Sequence, residues 1–181
     1  MNISKLGRIL FISDFHFFHQ KIIRLCNRKP STWSACFADE IEMNAYMIES
    51  YNKIVRPNDT VINLGDFALC MFFDQLEFVF KQLNGKMHIV TGNHDHYTAE
   101  TRKRLNRLPF VSISDHNILF ENKFLLSHRP VVDPRYPNIH GHTHDRFDPN
   151  PMCQNVSIEV LDYKPIELDQ VIANFKTRNV L

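Results

Sequence analysis

Three short apolar runs, each ending on a polar residue, set the rhythm of the first half of the chain. "RILFIS" (residues 8–13) stops at Asp14, "DTVINLGD" at Asp66 and "KMHIVTGN" at Asn93. Short, predominantly apolar runs of this length predict buried central strands. Between them the period lengthens. Ile41, Ala45, Ile48 and Val55 recur at helical spacing within Phe37–Val55, and Leu76, Val79, Phe80 and Leu83 do so within residues 74–83, with Gly85 placed near a C-terminal cap. Alternating strand and helix predicts an α/β layered architecture.

The second half changes character. "NILF", "ENK" and "FLLS" read as a hairpin turning around Asn122, and "NIHGHTH" and "NVSIEVLDY" each supply a further short strand. "PIELDQVIANF" reads as a closing helix with Pro165 just before it. Strands then outnumber helices, which predicts two packed sheets with helices on their outer faces.

Composition narrows the partners. The 181 residues fit a single domain, 1–181, large enough to bury a core without disulfides or structural zinc. A net charge of +1 gives no basic excess of the kind that long duplex nucleic acid demands, and the basic cluster Arg102, Lys103, Arg104, Arg107 reads as a solvated helix face. Cys26, Cys36, Cys70 and Cys153 are scattered without a C-x-x-C pair and read as thiols of a reducing compartment. Lys5 and Arg8 precede only a short apolar run, so neither a signal peptide nor a membrane span is predicted, and the expected location is cytoplasmic.

Candidate chemistry collects where the strands end. Asp14 and His16 follow the first strand, Asp66 the second, Asn93 and His94 the third, His128 the hairpin, and His142 and His144 the "NIHG" strand. Any single block could be an ordinary polar turn. In layered α/β proteins, however, ligands bind beyond the carboxyl ends of strands, so several loops aim at one place. Carboxylates, imidazoles and one amide oxygen suit divalent Mn²⁺, Fe²⁺ or Zn²⁺ better than calcium. Asp14 and His16 are two apart, as are His142 and His144, a spacing that puts both members on one side of an extended strand. Gly65, Gly92 and Gly141 each precede a candidate ligand, where a missing side chain permits close backbone approach.

The ordered set "SDFH", "LGDF", "TGNHD", "LSH" and "HGHTH", running from Ile12 to His144, resembles the calcineurin-like metallophosphoesterase superfamily. The likeness is to its small single-domain bacterial and phage members, some of which share an "SD-x-H-F-x-H" opening and a stretch similar to Asn27, Arg28, Lys29 and Pro30. The resemblance implies a two-sheet β-sandwich flanked by helices, without a cap domain. It also implies two divalent metal ions, Mn²⁺ foremost with Fe²⁺, Zn²⁺ or Ni²⁺ as candidates. One ion would take Asp14, His16, Asp66 and His144, the other Asp66, Asn93, His128 and His142. Asp66 would bridge them. The implied reaction is hydrolysis of a small phosphodiester or phosphomonoester, nucleotide-like substrates included, by a hydroxide shared between the ions. His94 would protonate the leaving oxygen or stabilise the phosphoryl charge.

Departures and leftovers qualify that picture. After Asp66 the chain reads "GDFALC" instead of G-D-x-x-D-R-G, with Leu69 where a His-orienting Asp would stand, which argues against phosphoprotein substrates. His19 is read as a neighbour of the ligands or of substrate, His96 as a surface residue, and His88, His116 and His140 as structural. Arg129 is placed to reach a phosphate or to form a surface ion pair. Phe15, Phe17, Phe18 and Phe67 flank the site and are expected to wall a base or aryl group. Two other functions stay open: a metal-dependent nuclease, and a non-catalytic binding module on the same fold.

Overall fold

A computed structural model describes residues 7–69, 72–146 and 148–181. Lys5 and Cys70 lie outside the described residues. The elements run β1 (Ile9–Ile12), α1 (Gln20–Leu25), α2 (Glu40–Ile54), β2 (Thr60–Asn63), α3 (Phe73–Phe80), β3 (Lys86–Val90), α4 (Ala99–Leu105), β4 (Val111–Ser114), β5 (Ile118–Phe120), β6 (Phe124–Ser127), β7 (Asn138–His140), β8 (Cys153–Asn155), β9 (Ile166–Glu167) and α5 (Leu168–Thr177). Two sheets form, one in the order β4-β3-β2-β1-β9 and the other β5-β6-β7-β8. The first is parallel from β1 to β4, with β9 antiparallel at its edge. In the second, β5 and β6 pair antiparallel while β6, β7 and β8 run parallel.

Side-chain alternation along β1 explains the layering. Ile9 and Phe11 join the core between the sheets, with Ile62, Leu64, Phe124, Leu126 and Ile139. Leu10 and Ile12 point the other way and join Met43, Met47, Tyr51, Leu76, Val79 and Phe80 beneath the helices. A strand covered on both faces has no use for polar positions, hence its unbroken apolar run. The architecture is the expected helix-flanked sandwich of two sheets.

The hairpin falls where predicted, and its turn residues Glu121 and Asn122 both take positive φ (52° and 54°), as a tight hairpin turn requires. Three expectations need correction. α2 lies within the predicted span, begun by the Asp39 side chain accepting from the Glu42 N–H at 2.9 Å, but it buries Met43, Met47, Ser50 and Tyr51 while Ile41 is 74% exposed. Two stripes share the helical period, and the one carrying methionines and a tyrosine offers more apolar area. The strand expected from Asn155 to Tyr163 is displaced: β8 ends at Asn155 and, past a bridge at Ser157, the rest forms turns. Ile166 and Glu167, expected in the closing helix, pair instead with Leu10 and Phe11, and the helix starts at Leu168. The open edge of β1 needs backbone partners, and that demand overrides local periodicity. The basic cluster lies on and just after α4, where Arg102 binds Asp115 bidentately (2.9 and 2.7 Å) and Arg104 reaches Asp74 at 2.9 Å.

Candidate metal centre

The loops that leave β1, β2, β3, β6 and β7 converge on one side of the sandwich. Asp14, His16 and His144 offer ligand atoms within 4.8 Å of one another, and so do Asp66, His128 and His142. Asp66 stands between the sets: its Oδ2 lies 3.5 Å from His16 Nε2 and 3.4 Å from His128 Nε2. Asn93 Oδ1 is 3.1 Å from His128 Nε2. All seven candidate ligands are thus brought together, and the His94 ring lies 5.2 Å from that of His16.

The convergence is built from strained backbone and not from strand alternation. Asp14, His16, Asp66, His142 and His144 all take positive φ, between 51° and 69°. β1 has ended at Ile12, so the expected same-side spacing of Asp14 and His16 does not operate; a left-handed turn turns them inward. Such conformations cost about 1–3 kcal/mol each and persist only where surroundings over-determine them. Here the Asp14, His16 and Phe17 N–H groups donate to the Gly65, Asp66 and Phe67 carbonyls at 2.9, 2.9 and 3.0 Å. The glycines let the loops approach: a Cβ on Gly141 would overlap Asp14 Oδ2 and Ser13 Oγ, and one on Gly92 would lie 2.8 Å from the Asp66 carboxyl carbon.

Polar contacts orient the ring nitrogens. His128 Nδ1 lies 2.8 Å from the Leu64 carbonyl, which can only accept, so Nδ1 carries the proton and Nε2 faces the cluster. His144 Nδ1 lies 2.9 Å from Glu159 Oε1 in the same manner. His16 Nδ1 is 3.3 Å from His19 Nδ1. Burial, aided by the Arg28 charge, pushes His16 down to about 2, so it is neutral and fit to ligate. Burial raises Asp14, whereas for Asp66 burial is outweighed by the hydrogen bond and charge of His128 and the His94 N–H, leaving it at about 2.

A cation suits this cluster. Asp14 Oδ1 and His16 Nε2 are buried without a hydrogen-bond partner, although the other Asp14 oxygen accepts from His142 N–H and Ser157 Oγ, each at 2.9 Å. Unpaired buried carboxylate and imidazole atoms facing one another are costly unless a positive charge lies between them.

Several contributing residues escaped the motif reading. Arg28, only 1% exposed, donates to the Asp14 and Phe15 carbonyls at 2.6 Å each and to Glu159 at 2.8 Å, so it holds the β1 loop and the partner of His144 at once. Asp95 accepts from Asp66 N–H and Gly92 N–H (both 2.8 Å), Phe67 N–H (2.9 Å) and Tyr97 Oη (3.0 Å), clasping two ligand loops. Asp95 belongs to "TGNHD" and Arg28 to the "N-R-K-P" stretch, so both lay inside recognised motifs; Glu159 carried no local signal. His88 pairs with Ser112 across neighbouring strands. Arg129 Nη2 donates to Asn93 Oδ1 at 3.2 Å. Of the four phenylalanines expected to wall the site, Phe15, Phe17 and Phe67 are fully buried and pack on one another, and Phe18 is half-buried against the same core. A cavity of about 320 Å³ beside the cluster is lined instead by Leu25, Cys26, His94, Thr143, Asp145 and Arg146, among others.

A helix-flanked pair of sheets whose loops present two meeting sets of Asp, His and Asn side chains defines a class of metal-dependent phosphoesterases. The chain belongs to the calcineurin-like phosphoesterase family, which it matches over residues 7–174. It is 33% identical to an uncharacterized protein, MJ1445, of Methanocaldococcus jannaschii, over 92% of this chain and 90% of that one. It is also similar to the crystal structure of a protein of unknown function, AQ665, from Aquifex aeolicus, at 28% identity and a TM-score of 0.66, covering 92% of this chain and 98% of the other. No helix among the described residues is long and apolar enough to cross a membrane.

Proposed function

We propose that the chain hydrolyses small phosphate esters, diesters or monoesters, with two divalent ions, Mn²⁺ foremost and Fe²⁺, Zn²⁺ or Ni²⁺ as substitutes. The observation that carries this reading is the meeting of two sets of ligand atoms at Asp66, with partnerless Asp14 Oδ1 and His16 Nε2 inside one of them. Asp14, His16, Asp66 and His144 would hold one ion; Asp66, Asn93, His128 and His142 would hold the other. Bound there, divalent ions supply positive charge to phosphoryl oxygens and acidify attacking water.

The chain's own residues do the rest. The His94 N–H donates to Asp66 Oδ1 at 2.8 Å, and His94 lines the cavity beside the cluster. From there it would deliver a proton to the leaving oxygen. Arg146 in the cavity wall and Arg129 beside Asn93 would offer positive charge to phosphate oxygens. A cavity of about 320 Å³ suits a small ester. The buried phenylalanines remove the motive for favouring a base, and nucleotide-like esters become one class among several.

The test is His94→Ala. Both ions should remain bound, because His94 is not a proposed ligand, while kcat falls roughly 10²–10⁴-fold. The loss should be smallest for nitrophenyl esters, whose leaving group needs little protonation, and largest for alkyl esters. Metal analysis showing two ions together with unchanged kcat on an alkyl ester would refute the role. Wild-type protein that never exceeds one Mn²⁺ per chain would refute the dinuclear reading.

A further inference from the structure

A second group of metal-type side chains lies away from the Asp66 cluster. His140 is the last residue of β7, Cys153 the first of β8, and Asp148 comes from the loop between them; their ligand atoms lie within 4.8 Å of one another. His140 is fully buried and Cys153 is buried, while Asp148 is partly open to solvent. The described residues on this side therefore combine nitrogen, sulfur and oxygen donors at one point.

The imidazole is aimed at that point without a well-formed hydrogen bond there. His140 Nδ1 lies 2.8 Å from the Gly141 carbonyl, which can only accept, so Nδ1 bears a proton. Nε2 is 3.3 Å from Asp148 Oδ2, a long contact that does not make a well-formed hydrogen bond. In the neutral tautomer that the Gly141 contact selects, a nitrogen lone pair faces a carboxylate oxygen and a sulfur. The nitrogen and carboxylate lone pairs so arranged repel unless a cation, or in its absence the Cys153 S–H proton, sits among them. Asp148 itself is held by the Asn150 N–H, which donates to its other oxygen at 2.9 Å, so Oδ2 stays free to face inward.

We propose that His140, Asp148 and Cys153 form a separate binding site for a zinc-type transition-metal ion. The thiolate selects such a cation over Mg²⁺, Ca²⁺ or Mn²⁺. On binding, the Cys153 S–H bond breaks, a sulfur–metal bond forms and the proton leaves to solvent. Neutral imidazole, one carboxylate and one thiolate then cancel the divalent charge, which suits so buried a place. Asp148 and Cys153 also line a cavity of about 470 Å³ with Arg146, Asn150 and Arg178, which provides the ion's entry path and an open fourth position. An ion here pins the loop after His144 to β7 and β8, next to the segment that carries His142 and His144.

The experiment is anaerobic Co²⁺ titration of the full chain, because thiolate-to-cobalt charge transfer marks a sulfur ligand and no proposed Asp66-cluster ligand is a thiol. Wild type and Cys26→Ser should both show the band, Cys26 being the thiol beside His144. Cys153→Ser should lose it. Since a serine at that buried position can disturb folding, Asp148→Ala is the second variant: with unchanged circular dichroism, it should need at least roughly tenfold more Co²⁺ to develop the band. No band in saturated wild type, a band that survives in Cys153→Ser, or unaltered Co²⁺ affinity in Asp148→Ala would each overturn the proposal. The readout is independent of catalysis, so failure of the phosphoesterase reading leaves it intact.

Discussion

At the residue scale, the site is a contest between backbone strain and close packing, and Gly141 is where it is tightest. A Cβ there would come 2.6 Å from Ser13 Cβ and would overlap Asp14 Oδ2, whose position is also set by the His142 N–H and Ser157 Oγ. The Ser13 and Asp14 side chains it would meet are fully buried just past β1, so neither has room to yield. Gly141→Ala is therefore expected to destabilise the fold by roughly 1–3 kcal/mol. It should also weaken Mn²⁺ binding by displacing Asp14. Urea unfolding and titration calorimetry on the same variant check the two effects; an unchanged urea midpoint would show that the β1 end can yield.

At the scale of elements, Arg8 joins four pieces of chain. Its guanidinium donates to Asp59 just before β2 (3.2 and 2.7 Å), to Glu167 of β9 (2.6 Å) and to the Ile54 carbonyl at the end of α2. Burial opposes ionisation of Asp59, but hydrogen bonds from Arg8 and the Arg56 N–H, with their charges, outweigh it and hold the carboxyl below its ordinary value of 3.8. A depressed folded pKa means stability that is complete above the ordinary value and disappears as pH falls through the folded one. Asp59→Asn should thus cost about 1.5–3 kcal/mol near neutrality, the worth of hydrogen bonds to a charged group. The gap from wild type should close below about pH 4. Urea unfolding across a pH series measures this, and a gap constant down to pH 2.5 would contradict the mechanism.

At the scale of the whole molecule, the candidate ligands come from both sheets: loops after β1, β2 and β3 belong to one, those after β6 and β7 to the other. Ions held between them would cross-link the sandwich and bind the folded chain alone. Mn²⁺ at about 100 times its Kd should add ~2.7 kcal/mol of stability per site, reversed by EDTA. Asp66→Asn should lose more of this increment than Asp14→Asn, since Asp66 stands between the two sets of ligand atoms. Thermal unfolding with and without Mn²⁺ checks both statements; a midpoint indifferent to the metal would refute them.

The sequence by itself determined the layers and pointed to the residues of the candidate site. β1 and β2 are buried along their whole length and β3 over most of it, so their apolar runs are visible locally, and Asp14, His16, Asp66 and Asn93 follow them within a few residues. Tertiary structure decided what depends on partners distant in the chain. Ile166 and Glu167 became a strand because β1 had an open edge, and Phe15, Phe17 and Phe67 became core because the helices closed over them. Arg28 and Glu159, 131 residues apart, support the ligand loops through contacts that neither neighbourhood announces. The left-handed turns at Asp14 and His144 carry no glycine signal of their own; long-range hydrogen bonds impose them. Local periodicity records which side of a segment is apolar, whereas backbone pairing and buried charge are satisfied only by whatever the folded chain brings alongside.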